Sequence, residues 1–463
     1  MFTHRLLGRR SLGRHTLLNI VGQAAPLIAA FFTIPLLIEG LGKERYGALT
    51  LAWLLTGYAS IFDFGLGRAL TQMVAQQLHH ANSTDDNDNK DVAALVATAL
   101  AATVGFSVLA GSVIYGLTPY LVTQVFRVPL ALQPETQAAL RLIAVFLPVV
   151  IMTTATRGVL EAYQQFLAVN LVSVPMGLLN YLAPLAILPF SNSLPVIVLG
   201  LIMVRTLGTF TYLGLCLRRL PWSQWRLVPS LVPALFRVGG WMSVSNILAP
   251  IMLSFDRFVL AGLTSLTAVT YYTTPYTVIN KMRIVPMALM RALFPALARQ
   301  AASAQTKVAT RGLYRKSLLS LALVMVPAVS IVMLFAKPGL SWWLGADFAD
   351  QSFRVAQLLA LGVLVHSLGQ PSFTLIQALG RPDITAKLHL AEIPLYVVYL
   401  PWLIQRFGIT GAAAAWLIRV SLSTIVLTFL ALWLLERPTS STENPTKEAD
   451  ANVSVQSGTP TAR

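Results

Sequence analysis

What most constrains this chain is a succession of apolar segments, each long enough to cross a lipid bilayer. A hydrocarbon core about 30 Å thick requires about 20 apolar residues in helix. Twelve stretches meet that requirement: 16 to 39, 45 to 79, 91 to 118, 138 to 163, 165 to 189, 194 to 217, 234 to 262, 266 to 298, 313 to 336, 353 to 379, 382 to 405 and 408 to 435. Several are longer than the bilayer demands, so they tilt or protrude. Polar punctuation separates them most clearly at HHANSTDDNDNKD (79 to 91), at LRRLPWSQWRLVPS (217 to 230) and after Glu436, where a Ser/Thr/Pro-rich tail is expected to be disordered. The chain is 56% hydrophobic and only 11% charged, whereas a soluble domain carries about 25% charged residues. The fold class read from this pattern is an all-α polytopic membrane protein of about twelve transmembrane helices.

The net charge of +16 would suggest nucleic acid as a partner for a soluble protein. Here the basic residues fall largely in short loops, where they orient the chain instead. Eighteen lysines and arginines lie on the side of the N-terminus, among them Arg9, Arg10, Arg218, Arg219, Arg311 and Arg315. Six lie on the other: Lys43, Arg45, Arg127, Lys337, Arg354 and Arg406. That asymmetry predicts that both termini are cytoplasmic. The basic N-terminus has no small-residue cleavage site, and its apolar run is of span length, so it is read as the first span and not as a signal peptide. A single cysteine, Cys216, excludes an intrachain disulfide framework.

The chain also repeats itself weakly at an interval of about 216 residues. GVLEAYQQFLAVNLVSVP (158 to 175) aligns with TLIQALGRPDITAKLHLA (374 to 391), and VRTLG (204 to 208) with IRVSL (418 to 422). Six spans separate the two copies, and an even number keeps them in the same orientation, as in parallel repeats related by an axis along the membrane normal. The predicted organisation is a basic N-terminus (1–15), a six-helix bundle (16–217), a cytoplasmic linker (218–233), a second six-helix bundle (234–436) and a tail (437–463). Transporters built from such repeats hold substrate near the midplane, between the repeats.

Three stretches carry a resemblance to a known family. NIVGQAAPLIAAFFTIPLLIEGLGKERYGALTLAWLLTGYASIFDFGLGRAL (19 to 70) resembles the opening of the oligosaccharide flippases. These form the polysaccharide transporter branch of the superfamily that also holds multidrug/toxin extruders and the peptidoglycan-precursor flippase. SFDRFVLAGLTSLTAVTYYTTPYTVINKMRIVPMALMRALFPALA (254 to 298) is similar to that family's Asp-Arg, apolar, Gly, Tyr pattern ending in Phe-Pro. GRPDITAK (380 to 387) with FGITGAAAAW (407 to 416) resembles its last third. The resemblance implies two six-helix bundles around a central cavity lined by spans 1, 2, 7 and 8. It further implies alternating access that carries polyprenyl-pyrophosphate-linked oligosaccharide across a bacterial inner membrane, for surface polysaccharide such as O-antigen. The partners would be that lipid-linked oligosaccharide, the bilayer, and a polysaccharide polymerase with its chain-length machinery.

Charges inside spans are costly, about 2.5 to 3.5 kcal/mol each at the bilayer centre on insertion scales, so each is a functional candidate. The basic ones are Arg68, Arg157, Arg205, Arg257, Lys281, Arg283, Arg291 and Arg419, and the acidic ones Asp63, Glu161, Asp256 and Glu392. Their basic excess suits an anionic substrate such as a pyrophosphate, which a guanidinium grips bidentately. Arg68, Lys281 and Arg283 are the expected cavity residues, with Asn19 and Gln23 offering hydrogen bonds to sugar hydroxyls or across helices. Arg157 and Glu161, spaced i, i+4, are read as a structural salt bridge. Asp63, Asp256 and Arg257 stand between gate and scaffold. Arg205 and Arg419 occupy matching places in the two repeats and are read as architectural, with cavity contact as the alternative. His389 and Glu392, spaced i, i+3, could form a proton relay. Prolines inside the spans, such as Pro26, Pro35, Pro275 and Pro371, permit bends.

No glycine-rich nucleotide loop appears, no paired carboxylates mark a glycosidase, and no cofactor or metal is expected. Two other readings compete: a cation-coupled multidrug exporter of the same superfamily, which should present buried carboxylates in its N-terminal half, and a membrane-bound polysaccharide enzyme.

Overall fold

The structure, a computed structural model, describes residues 3–57, 65–80, 86–220, 223, 225–301 and 307–436. Side chains of 3–24 and 238–253, and some between 79 and 89 and between 291 and 307, lie outside that description. Among the described residues there are helices and no strands, as the apolar runs predict. In a bilayer core a helix satisfies every backbone N–H and C=O within its own segment. In chain order the helices are α1 (Thr3–Gly57), α2 (Leu66–His80), α3 (Asp86–Tyr120), α4 (Gln133–Val145), α5 (Leu147–Ala162), α6 (Phe166–Ile187) and α7 (Leu194–Leu217). They continue as α8 (Leu231–Leu263), α9 (Leu266–Ile279), α10 (Ile284–Ala301), α11 (Lys307–Leu344), α12 (Ala346–Ala378) and α13 (Pro382–Glu436). Seven helices among the described residues are long and apolar enough to cross a membrane, or eight if the bent pair α4 and α5 counts as one span.

Two of these helices are too long to be single spans. α1 and α13 have 55 residues each, about 80 Å if straight, more than twice a bilayer core. Each is two helices merged across a kink at a glycine with positive φ, Gly42 (φ 77°) in α1 and Gly408 (φ 58°) in α13. An L side chain is disfavoured in that conformation, so glycine marks the break. The kinks lie at the predicted boundaries between spans 1 and 2 and between spans 11 and 12.

Other spans are interrupted where the sequence predicts continuity. The run 138 to 163 bends by 43° at Phe146 (φ −92°, ψ 6°), two residues before Pro148, whose ring cannot continue the helix behind it. The run 266 to 298 is divided by a 3₁₀ turn over Asn280–Arg283, which holds two of the predicted cavity cations.

The chain packs as two compact units. The first comprises 1–282, 328–363 and 393–419, and the second 283–327, 364–392 and 420–463. In the first, α2, α3, α5 and α7 bury a continuous core around Leu70, Val74, Leu95, Val96, Ala155, Val159 and Tyr212. Lipid tails are as apolar as leucine, so small residues that let backbones approach do much of the work of association. A Cβ added to Gly111 would stand 2.4 Å from the Ala144 carbonyl oxygen, and one added to Gly158 would stand 2.2 Å from Thr71 Oγ1. In the second unit Leu297, Leu375, Ile376, Leu427 and Ala431 form the core. Beside it a row of hydroxyls joins three helices, Tyr314 to Ser372 at 3.0 Å and Ser372 to Thr428 at 3.1 Å.

Candidate functional site

Inside the first unit lies a cavity of about 810 Å³. Its walls follow from helical periodicity. On α5 the lining residues are Val150, Thr153, Thr154, Arg157, Gly158 and Glu161, and on α6 Ser173, Met176, Gly177, Asn180 and Tyr181. On α9 they are Thr273 and Thr277, followed in register by Lys281 in the 3₁₀ turn. These i, i+3, i+4, i+7 series place one face of each helix on a common space. The second arm of α1 contributes Tyr46, Thr50 and Trp53, α2 contributes Arg68 and Thr71, and α7 contributes Arg205 and Tyr212.

The charge of this space is decided by what its ionic groups already hold. Among the described residues Glu161 is the only acidic one on the wall, and Arg157 Nε donates to its Oε1 at 2.8 Å. The i, i+4 pair predicted as structural thus forms, and it forms on the cavity wall. Arg257 is occupied as well: Nη2 donates to Ser254 Oγ at 3.1 Å, Nε stands 3.7 Å from Asp256 Oδ1, and the guanidinium lies 4.3 Å from the Tyr276 ring centre. Asp256, 1% exposed, accepts hydrogen bonds from the Tyr272 hydroxyl and from the Arg257 backbone N–H. By contrast Arg68, Arg205 and Lys281 line the cavity and form neither an ion pair nor a side-chain hydrogen bond with the other described residues. Three such cations facing one cleft make it positive.

The other candidates lie elsewhere. Arg283, two residues after Lys281, belongs to the second unit, where its Nη2 lies 3.0 Å from His366 Nε2. A guanidinium can only donate, so His366 Nε2 is the acceptor and the ring carries its proton on Nδ1. His389 Nδ1 and Glu392 Oε2 are 3.3 Å apart on the first arm of α13, with Glu392 buried. Arg205 and Arg419, aligned with each other in the sequence, have different surroundings. Arg205 is on the cavity wall, while Arg419 stacks 5.2 Å from the Tyr396 ring centre. Asp63 and the side chains of Asn19, Gln23 and Arg291 lie outside the described residues.

The cavity also contains residues that the charge-based reading of the sequence passes over. Tyr46, Trp53, Tyr181 and Asn180 are uncharged and sit within apolar runs, where aromatic residues are ordinarily packing. Their only sequence signal is helical spacing: Tyr46, Thr50 and Trp53 on one face, and Ser173, Gly177 and Tyr181 on another.

Comparison with known proteins adds three findings. Residues 12–300 match the family described as polysaccharide biosynthesis protein. A Shigella flexneri protein whose name proposes it as an O-antigen transporter is 30% identical over 438 residues, covering 94% of this chain and all of that protein. Among solved structures, an inward-facing multidrug resistance MATE family transporter of the MOP superfamily aligns with TM-score 0.77 at 13% identity, covering 92% of this chain and 99% of its own. The lipid II flippase MurJ in an inward closed conformation aligns with TM-score 0.67 at 11% identity, covering 95% and 96%. At such identities the structural likeness establishes the fold and nothing further.

Proposed function

We propose that this chain, which belongs to the polysaccharide biosynthesis protein family, translocates a polyprenyl-pyrophosphate-linked oligosaccharide from one leaflet of a membrane to the other. The observation that carries the proposal is the presence of three cations, Arg68, Arg205 and Lys281, on one cavity wall with no carboxylate paired to them among the described residues. Arg68 and Lys281 are exposed to the cavity and Arg205 is half-buried on its wall, so an anionic ligand that enters meets cations with no carboxylate among the described residues competing for them. A pyrophosphate offers the oxygens that a guanidinium fork engages bidentately, with Lys281 acting as a point charge.

The cycle we infer is alternating access by two six-helix bundles, 16–217 and 234–436, in the bacterial inner membrane with both termini cytoplasmic. The headgroup enters the cavity from the cytoplasmic leaflet, where the cations replace its hydration. The cavity then opens to the periplasmic side, and the product passes to a polymerase. The chain itself acts as a transporter and makes or breaks no bond in the glycan. The multidrug-exporter reading calls for a free carboxylate to hold a cation, and the one carboxylate on the wall among the described residues is already bonded to Arg157.

The test is export of surface glycan in cells that depend on this chain. Arg68→Ala, Arg205→Ala and Lys281→Ala are each expected to lower export at least tenfold with near-normal protein in the membrane. Arg205→Lys should recover part of the activity, because it keeps the charge and loses the fork. Normal export by the alanine variants would overturn the assignment.

A further inference from the structure

The proposed substrate has two chemistries, an anionic headgroup and a neutral saccharide, and the cations account only for the first. Resting on the flippase reading, we propose that Trp53, Tyr181 and Asn180, backed by the buried ring of Tyr46, form a saccharide subsite at the end of the same cavity away from Arg68.

Helix geometry separates the two ends. The turn at 163–165 joins α5 to α6, so depth along both helices can be measured from it. Arg157 lies five residues from the end of α5 and Tyr181 fifteen residues along α6, about 8 Å and about 22 Å from the turn. Arg68 belongs to the Arg157 end, because Thr71, one turn further along α2, meets Gly158. Arg68 and Arg157 are therefore about 15 Å from Tyr181 along the helix axes, whereas Arg205, between Gly208 that meets Met176 and Gly200 that meets Ile187, lies at the depth of Asn180. A headgroup held by Arg68 leaves its sugar rings against the aromatic end.

The aromatic end has the groups a pyranose needs. Trp53 lies with its ring centre 6.1 Å from that of Tyr46 and 5.4 Å from that of Tyr181, with interplanar angles of 84° and 60°. The edges of neighbouring rings thus fix the indole. An aromatic face is electron-rich, and the C–H bonds on one face of a pyranose are electron-poor, so the two stack. Hydrogen bonding is available in both directions. Thr50 and Thr277 donate their hydroxyl protons to the carbonyls of Gly47 and Thr273 at 2.7 and 2.8 Å, which leaves their oxygens as acceptors. The Asn180 carboxamide lines the cavity with no partner among the described residues, and a sugar hydroxyl can both accept from its N–H and donate to its oxygen. A packing role alone would place these rings in a closed apolar core, whereas Trp53 and Tyr181 are each part-exposed on the wall of a polar cavity.

The test uses the full-length protein in nanodiscs of phosphatidylethanolamine and phosphatidylglycerol, with two probes. One is undecaprenyl pyrophosphate, and the other is the lipid-linked oligosaccharide extracted from the strain that supplies the gene. Trp53→Ala and Tyr181→Leu should weaken binding of the glycosylated probe about three- to tenfold and leave the bare probe within twofold. Trp53→Phe, which keeps a ring and the fold, should fall between them and the wild type. Arg68→Ala should weaken both probes. Equal losses for both probes in the Trp53 and Tyr181 variants, or no loss for either, would overturn the saccharide subsite and leave the flippase reading standing. Wild-type protein that binds neither probe would overturn both.

Discussion

Two residues in the first unit show how differently a side chain can matter here. Asp256 is buried and accepts hydrogen bonds from the Tyr272 hydroxyl and the Arg257 N–H, with the Arg257 guanidinium beside it. Removing one partner of a buried pair leaves the other charge uncompensated and costs about 3 to 5 kcal/mol. Asp256→Ala is therefore expected to accumulate poorly in the membrane, whereas Arg205→Ala should accumulate normally and fail only in export. Immunoblotting of membrane fractions beside the export assay distinguishes scaffold from site. Gly47 makes the same point sterically: a Cβ there would stand 2.1 Å from the Leu266 carbonyl oxygen, and backbone cannot move aside as a flexible side chain can. Overpacking of this kind costs about 1 to 3 kcal/mol, so Gly47→Ala should lower the unfolding temperature of the purified protein.

At the scale of elements, the elbow between the two arms of α1 is tied down by two ion pairs of unequal weight. Arg45 meets Glu135 of α4 through two parallel bonds, Nε to Oε2 at 3.0 Å and Nη2 to Oε1 at 2.9 Å, with both side chains about 30% exposed. Lys43 reaches Asp347 at the start of α12 and the Tyr271 hydroxyl, but the Asp347 side chain is 72% exposed. Exposed pairs contribute about 0 to 1 kcal/mol, and bidentate, partly shielded ones contribute more. A double-mutant cycle read by thermal unfolding should give a coupling of about 1 kcal/mol or more for Arg45 and Glu135, and less for Lys43 and Asp347. Hydropathy and punctuation in the sequence reveal the helical membrane-spanning class and put run boundaries close to Gly42 and Gly408, without marking those glycines as kinks. They do not reveal that the eighth span divides at Asn280–Arg283, because a 3₁₀ turn carries no fixed composition, and its effect is to assign Lys281 and Arg283 to different units.

For the whole molecule the proposed orientation and energetics are open to direct measurement. Cysteines introduced at Ser191 or Thr264 should react with an impermeant reagent from the periplasm, and one at Ser303 should not; the reverse pattern would invert the topology. The sequence shows no nucleotide loop, and the membrane potential supplies about 2.3 kcal/mol per elementary charge per 100 mV. A pyrophosphate leaving an inside-negative compartment moves with that field. Transport in reconstituted vesicles should therefore respond to an imposed potential with no proton gradient present, and His389→Ala should leave that response intact. Transport that ignores the potential and stops when the proton gradient collapses would instead assign coupling to His389 and Glu392.

By itself the sequence determined the solvent of this protein and the form its backbone must take in it, because twelve apolar runs of span length leave a bilayer as the medium and the helix as the way to satisfy the backbone within it. It also marked the charges worth asking about, because an ionised group inside a span is costly wherever it sits. It offered one local pair, Arg157 with Glu161 one turn on, but it could not say which of the remaining charges face a common space, since that depends on helices far apart in the chain. Only the tertiary structure decided that the Arg157–Glu161 pair lies on a cavity wall, that Arg257 is held by Ser254 and Tyr276, that Arg205 faces the cavity while Arg419 stacks on Tyr396, and that Tyr46, Trp53 and Tyr181 line the same space. An aromatic residue in an apolar run looks the same in sequence whether it packs in a core or lines a cavity, and the difference is made by the neighbouring helices.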